Sequence, residues 1–284
     1  MSKYSLKNQP LSVKTHAIIS MFTAGSLLSL TSAASAVTLK VSVTNLAPAN
    51  GTLLTPTWFG FHNGNFDLYD NNVSLNLFPG MEDLVEDGNT APISNRFTNE
   101  NAGIVQGTIL GTQGANAGPI DSGETASILV EVDPNLPTSR FFSYASMVIP
   151  SNDAFIANGD QMAYRIFDDS GNFQETDFIV SGSQVLDGGT EVNDELPANT
   201  AFFGQNNPDT GVDENGLVGL HPGFNAIGTG GILDDPQFSN ADFKVPGYQV
   251  ARIQVQVVPE PSTVIGLLTA VGSAFFLKNR RRMG

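Results

Sequence analysis

The chain has 284 residues, of which 40% are hydrophobic and none is cysteine. Its formal net charge is −15 at pH 7, from 28 Asp and Glu against 13 Lys and Arg. This composition excludes disulfides and thiolate chemistry, and it argues against nucleic acid or anionic lipid as a direct partner, because both require basic patches.

The first 36 residues predict a secretory signal peptide. The first part contains Lys3, Lys7 and Lys14 and no acidic residue. The apolar run Ala17–Leu30 follows, and the segment ends in the A-x-A cleavage site Ala34-Ser35-Ala36. This three-part layout is typical of exported proteins. An uncleaved amino-terminal anchor is the alternative, and neither form belongs to the fold.

The region 37–258 is expected to be one domain of 222 residues. It contains 27 acidic and only six basic residues, a formal net charge of −21. A β-sandwich of this length has an ample core without disulfides. The charge suits a divalent cation, a cationic partner or simple solubility outside the cell.

Four segments of this region have the pattern of substantial β-strands. Val37–Thr44 and Ala251–Val257 alternate apolar and polar residues, which predicts half-buried strands of an antiparallel sheet. Because they begin and end the domain, we expect them to lie close together. Ala126–Val132 alternates in the same way, and Phe141–Ile149 is apolar on both faces, as in a central strand.

The remaining elements are shorter. Met162–Phe167 and Thr176–Val180 are predicted strands, joined by a hairpin turn over Asp168–Asn172. Phe78–Glu86 can form a helix of about two turns, and Glu195–Asn240 is expected to consist mainly of loops. The predicted fold class is therefore all-β: a single antiparallel β-sandwich with long loops and one short helix.

The segment 259–284 has three parts in a fixed order. Pro259-Glu260-Pro261-Ser262 precedes the apolar run Thr263–Leu277, and the chain ends in an arginine cluster. This order resembles the PEP-CTERM sorting signal of bacterial exported proteins, which implies processing by a sorting enzyme of the exosortase type. The 16 residues from Ser262 to Leu277 would span about 24 Å as a helix, less than the ~30 Å hydrocarbon core. We therefore expect a transient inner-membrane anchor, followed by a cell-surface or extracellular location; a plain tail anchor is the alternative.

Three stretches of the predicted domain carry a second resemblance. They are Leu54-Thr55-Pro56 with the following residues to Asp67, the segment Phe141–Phe155 containing Pro150-Ser151-Asn152-Asp153, and Asp187-Gly188-Gly189-Thr190-Glu191. Together they resemble the spondin domain of the adhesion proteins F-spondin and mindin. That resemblance implies a C2-like antiparallel β-sandwich, a non-enzymatic role in adhesion or matrix binding, and a calcium site.

The resemblance further implies Glu131, Asp153, Asp187 and Glu191 as the metal ligands. These side chains suit calcium, which binds six to eight hard oxygen ligands. Asp187 and Glu191 are separated by two glycines and a threonine, and so can point towards one position. The chain departs from the family in having Glu at the last of these positions and in a longer segment between Glu131 and Asp153.

Other candidate sites in the sequence have weaker support. His62 and His221 have no zinc-ligand spacing, and we expect them to be structural or loop residues. The acidic segment 206–216 lacks the Gly and Glu that an EF-hand loop requires, so we interpret it as an acidic turn. Trp58 is expected in the core rather than on a sugar-stacking surface.

These observations favour an exported, calcium-binding and non-enzymatic surface or matrix protein. Its expected partners are extracellular polysaccharide or another surface protein, with no nucleic acid. The alternative is a secreted polysaccharide hydrolase that uses paired carboxylates, Glu131 with Asp153 or Asp187, in an open cleft. A third hypothesis is a storage or surface-coat protein without a specific ligand.

Overall fold

The structure, a computed structural model, describes residues 36–112 and 118–259. These residues all fall within the unit Ala34–Gly284. The predicted signal peptide and sorting segment lie almost entirely outside the described residues, so both stay predictions. In the part of the chain that is described, no helix is long and apolar enough to span a bilayer.

The described residues contain eleven strands and two α-helices. The strands are β1 (Val37–Asn45), β2 (Leu53–Leu54), β3 (Thr57–His62), β4 (Val105–Ile109), β5 (Thr125–Val132), β6 (Phe141–Ile149), β7 (Ala154–Ala157), β8 (Thr176–Ser181), β9 (Leu186–Asp187), β10 (Gly219–Leu220) and β11 (Gln249–Val257). The helices are α1 (Met81–Asp87) and α2 (Ala91–Asn99).

One sheet has four strands in the order β5-β1-β11-β8. The first and last strands of the domain pair antiparallel, with Leu39 opposite Val257, as expected from the sequence. The alternation predicted for β5 is also confirmed, because Ala126 and Val132 are buried while Leu129 is 60% exposed. The inward residues of this sheet form one wall of the main core.

The second sheet has the order β10-β9-β7-β6-β3-β4, with β2 pairing beside β6. Strand β6 lies inside this sheet, and eight of its nine residues are buried. Phe142 and Tyr144 pack in the core between the sheets, whereas Ala145 packs on the opposite face. The prediction of a central strand that is apolar on both faces is therefore confirmed.

The two helices cover the outer face of the second sheet. Leu84 and Val85 of α1 pack with Phe97 of α2 in a second core, which also contains the fully buried Trp58. The Phe66 and Phe97 rings meet edge to face at a centroid distance of 4.9 Å. The molecule is thus an all-β sandwich with an added helical layer, and Trp58 is a core residue as expected.

Two details differ from the sequence predictions. Met162–Phe167 is not a strand, because it forms only isolated bridges at Arg165 and Phe167. A turn in which the Ala163 N–H donates to the Asp160 carbonyl precedes these bridges. A second helix, α2, follows the predicted one. Its Asn, Ser and Thr residues have low helix propensity, so its stability depends on the burial of Ile93 and Phe97 on one face.

We predict that Leu39→Ala lowers the free energy of unfolding by about 2–5 kcal/mol, because Leu39 is fully buried between the sheets. Leu129→Ala is the matched control on the neighbouring strand β5, and its effect should stay within about 0.5 kcal/mol because the side chain is exposed. Urea unfolding measures both changes. Equal effects of the two substitutions would contradict the described packing of the sandwich.

Candidate metal centre

Asp153 lies in the turn that connects β6 to β7, and its side chain is fully buried. Its Oδ2 atom accepts hydrogen bonds from the backbone N–H of Thr190 at 2.8 Å, the Thr190 hydroxyl at 3.2 Å and the Glu191 N–H at 3.2 Å. Its Oδ1 atom has no hydrogen-bond partner. A buried carboxylate oxygen without a donor is costly, which makes this atom a candidate ligand.

Glu191 likewise has one carboxylate oxygen with a hydrogen-bond donor and one without. The side chain is only 3% exposed; Oε1 accepts a hydrogen bond of 2.9 Å from the Gly211 N–H, and Oε2 has no partner. Gly211 belongs to the segment 206–216, which we call the strap. A Cβ atom at Gly211 would overlap the Glu191 carboxylate, so the strap backbone packs directly against this group.

The strap is held beside Glu191 by backbone hydrogen bonds. Val192 N–H donates to the Val212 carbonyl and Glu214 N–H donates to the Thr190 carbonyl, both at 2.8 Å. The sequence excluded this acidic segment as an EF-hand loop and gave no indication of its neighbours. The structure nevertheless brings its residue Asp209 into the electrostatic environment of Glu191.

Asp187, the last residue of β9, is near Asp153 but has partners on both oxygens. Oδ1 accepts from the Gly189 N–H at 2.9 Å, and Oδ2 accepts from Asn193 Nδ2 at 2.8 Å. The negative charge of Asp187 contributes to the raised pKa of Asp153. Asp187 therefore shapes the field of the site without presenting a free oxygen.

His221 is linked to Asp187 through Asn193. Gly223 N–H donates to His221 Nδ1 at 3.0 Å, so the Nε2 atom carries the proton and donates to Asn193 Oδ1 at 3.0 Å. Burial lowers the pKa of His221 to about 4, which keeps the ring neutral. The histidine thus acts as a structural residue that orients Asn193 towards Asp187.

Glu131 is not part of this group. It lies on β5 of the other sheet, on the face that points away from the core, and its Oε1 accepts a hydrogen bond of 2.7 Å from the Thr38 hydroxyl. Of the four residues implied by the family resemblance, the structure brings Asp153, Asp187 and Glu191 together and leaves Glu131 in a different layer.

Burial of acidic side chains dominates the electrostatics of the site. Burial, followed by the charge of Asp187, raises the pKa of Asp153 to about 7. Burial also raises the pKa of Glu191 to about 7 and that of Glu86, on α1, to about 8, with smaller contributions from neighbouring acids. Among the described residues, no Lys or Arg is a main cause of these three pKa shifts.

Five of the six basic residues of the described chain have partners elsewhere, and the sixth, Lys40, lies on β1 of the other sheet. Arg96, Arg140, Arg165 and Arg252 form ion pairs with acids outside the group, and Lys244 donates to the His221 carbonyl at 2.9 Å.

The site predicted from the sequence did not include Glu86. A sign of its role was present, because Glu86 and Asp87 come together at the end of the predicted helix with no basic residue beside them.

Another buried carboxylate in the same fold provides a comparison. Glu195 is 5% exposed, and both of its oxygens accept backbone N–H donors, from Asn225 and from Ile232. A carboxylate that serves only to fix loops is therefore saturated with donors here. Asp153 and Glu191 each keep one oxygen free, which distinguishes them from this structural acid.

Within the described ranges, no group of three or more His, Cys, Asp or Glu side chains is arranged so that it could hold a metal ion. The atoms of Asp153, Asp187 and Glu191 that could bind a cation without losing a hydrogen bond are therefore Asp153 Oδ1 and Glu191 Oε2. A cation would need further oxygens from neighbouring carboxylates, carbonyl groups or water.

The arrangement does not favour the paired-carboxylate hydrolase. Asp153 has no exposed surface, and Glu131 lies on the other sheet. Three clefts of about 320–650 Å³ on the described surface are lined by other residues, among them Tyr69, Tyr164 and Tyr248. A sugar chain bound in any of them would not contact either proposed pair.

Comparison with known proteins adds no family assignment. The chain matches no protein-family model, and no curated protein is significantly similar to it. The spondin and PEP-CTERM resemblances therefore stay predictions from the sequence, and the fold rests on the structure itself.

We predict opposite results for the same acid-to-amide change at two buried sites. Asp153→Asn should leave metal-free stability unchanged or raise it, because the amide nitrogen can replace the oxygen that has no donor. Glu195→Gln should cost about 1–3 kcal/mol, because it places an NH₂ group against a backbone N–H. Urea unfolding in a chelator measures both, and a large loss for Asp153→Asn would argue against a free oxygen at Oδ1.

We also predict that the chelated protein becomes less stable as the pH rises from 7 to 8.5. The folded-state pKa values of Glu86, Asp153 and Glu191 are raised, so their protonated forms stabilise the fold, and this stability is lost as the pH passes through 7–8. His62 and His221 have lowered pKa values of about 4 and oppose this trend only at more acidic pH.

The expected loss between pH 7 and pH 8.5 is about 1 kcal/mol after allowance for solvent screening, or a few degrees in Tm. Thermal melts in EDTA at several pH values measure it. A melting temperature that stays constant or increases over this interval would contradict the assigned electrostatics.

Proposed function

We propose that the protein is an exported, non-enzymatic surface or matrix protein whose β-sandwich binds Ca²⁺ beside the turn after β6. The observation that carries the proposal is the pair of buried carboxylates, Asp153 and Glu191, each with one oxygen that lacks a donor. No basic side chain of the described residues forms an ion pair with them, so a bound cation is the partner that this environment lacks.

The chemistry of the available donors supports calcium over softer metals. The group consists of carboxylates, and the described chain has neither thiolates nor a histidine with a free nitrogen beside it. Asp153 Oδ1 and Glu191 Oε2 would hold the ion. Asp187 would support it through its charge and through the Gly189 turn.

The external role is inferred from charge and from the sequence. With a net charge of −21, residues 37–258 repel anionic polysaccharide unless a divalent cation mediates the contact. A calcium-ordered strap would also present a defined surface beside the site. We therefore propose adhesion or exopolysaccharide association, at the cell surface or outside the cell, with sorting directed by the two terminal segments.

Calcium titration of the purified full-length chain by calorimetry, combined with thermal melting, tests the binding proposal. A site that exists only in the folded state stabilises it by about 2.7 kcal/mol at a hundredfold excess of calcium over Kd. For a domain of this size that corresponds to an increase of about 5–10 °C in Tm.

Asp153→Asn should abolish both the binding heat and the calcium-dependent increase in Tm. Glu131→Gln is the matched control, since Glu131 lies on the other sheet, and it should behave as the wild type. If the wild-type chain shows no saturable binding, calcium must be removed from the proposed function. If Glu131→Gln also loses binding, the location of the site is wrong.

A further inference from the structure

Glu86 is a buried carboxylate that the sequence prediction of a metal site did not include. It lies in the last turn of α1 and is only 6% exposed. Its neighbours Leu84 and Val85 pack in the core between the helices and the second sheet. Val85 also lies 3.0 Å from the position a Cβ atom would take at Gly188, so α1 packs directly on the Asp187–Glu191 loop.

The Thr190 side chain lies between Glu86 and Asp153, one of the two candidate ligands. Thr190 Oγ1 donates to Asp153 Oδ2 at 3.2 Å. Burial raises the pKa of Glu86, and interaction with the same Thr190 side chain opposes that shift. A hydroxyl group has a single proton, so it cannot satisfy both carboxylates together. The charges that act on Glu86 come from Glu191, Glu82 and Asp209, all of which are acidic.

The position of Glu86 in its helix is also unfavourable without a cation. Glu86 and Asp87 end α1, and its last turn contains no basic residue. The carbonyl end of a helix carries partial negative charge and favours Lys, Arg or His at this position. Asp87 therefore adds to the raised pKa of Glu191, after burial and the charge of Asp153, instead of relieving it.

We propose that Glu86 moves in as the third carboxylate ligand when a divalent cation binds to Asp153 and Glu191, since the three side chains are not arranged around one ion in the described structure. This inference rests on the proposed function, because it identifies a ligand of the same site. The ion would connect three elements that are distant in sequence: helix α1, the turn after β6 and the loop after β9.

A cation bound by these three carboxylates would also stabilise the position of the strap against Glu191. The strap contacts Glu191 through the Gly211 N–H and pairs with residues 189–192. Once the cation neutralises Glu86 and Glu191, the repulsion that Asp209 exerts on both of them is offset. Calcium should therefore slow amide hydrogen exchange at Gly211 and Val192.

The test compares calcium binding by the full-length wild type, Glu86→Gln and Glu82→Gln. Glu82 lies on the same helix, but its side chain is exposed, which makes it the matched control. Loss of a charged ligand should raise Kd about tenfold or more for Glu86→Gln, because affinity depends on ligand charge count, and by less than about twofold for Glu82→Gln. Calcium protection of the Gly211 amide should be lost only in Glu86→Gln.

Metal-free melting distinguishes loss of a ligand from loss of the fold. Glu86→Gln removes one of several repelling charges, so its chelated form should melt at or above the wild-type temperature. If the wild type binds calcium and Glu86→Gln binds it equally well, this inference is overturned and the proposed function stands. If the wild type binds no calcium, both are overturned. A chelated Glu86→Gln that melts well below the wild type would assign Glu86 a structural role instead.

Discussion

The burial of β6 on both faces is the constraint on which the rest of the molecule depends. One face of the strand closes the core between the two sheets, and the other packs beneath α1 and α2. A strand buried in this way leads into a turn that has no direct route to solvent. Asp153 occupies that turn, and its carboxylate is consequently fixed inside the protein, where charge is costly.

The helical layer on the second sheet explains why acidic side chains lie close together near Asp153. Helix α1 must lie against the second sheet to bury Leu84 and Val85. This packing brings Val85 and Asp153 to the same glycine, Gly188, with Glu86 beside Thr190. The β9 loop returns to the same turn, since Asp187 pairs opposite Ala154. A protein without disulfides thus concentrates charge repulsion where three distant segments meet, and a cation at that point would join them.

The sequence identified much of this arrangement, for physical reasons that can be stated residue by residue. Two-residue periodicity located β1, β5 and β11, because each has one buried and one exposed face. The predicted ligand Asp153 follows the central strand that the hydrophobic pattern located, whereas the family resemblance named Asp187 without a strand, and β9 is found only in the structure. The failures are Met162–Phe167, whose alternation is interrupted by turn hydrogen bonds, and α2, whose sequence has little intrinsic helix preference.

By itself the sequence determined the all-β class, the central β6 and the acidity of the domain, because these follow from local periodicity and composition. Only the tertiary structure decided which acids share one environment. It separated Glu131 from Asp153, engaged both oxygens of Asp187, and brought Glu86 and the strap to Glu191. The reason is that donor saturation and burial of a carboxylate depend on contacts between segments far apart in the chain, which periodicity does not encode.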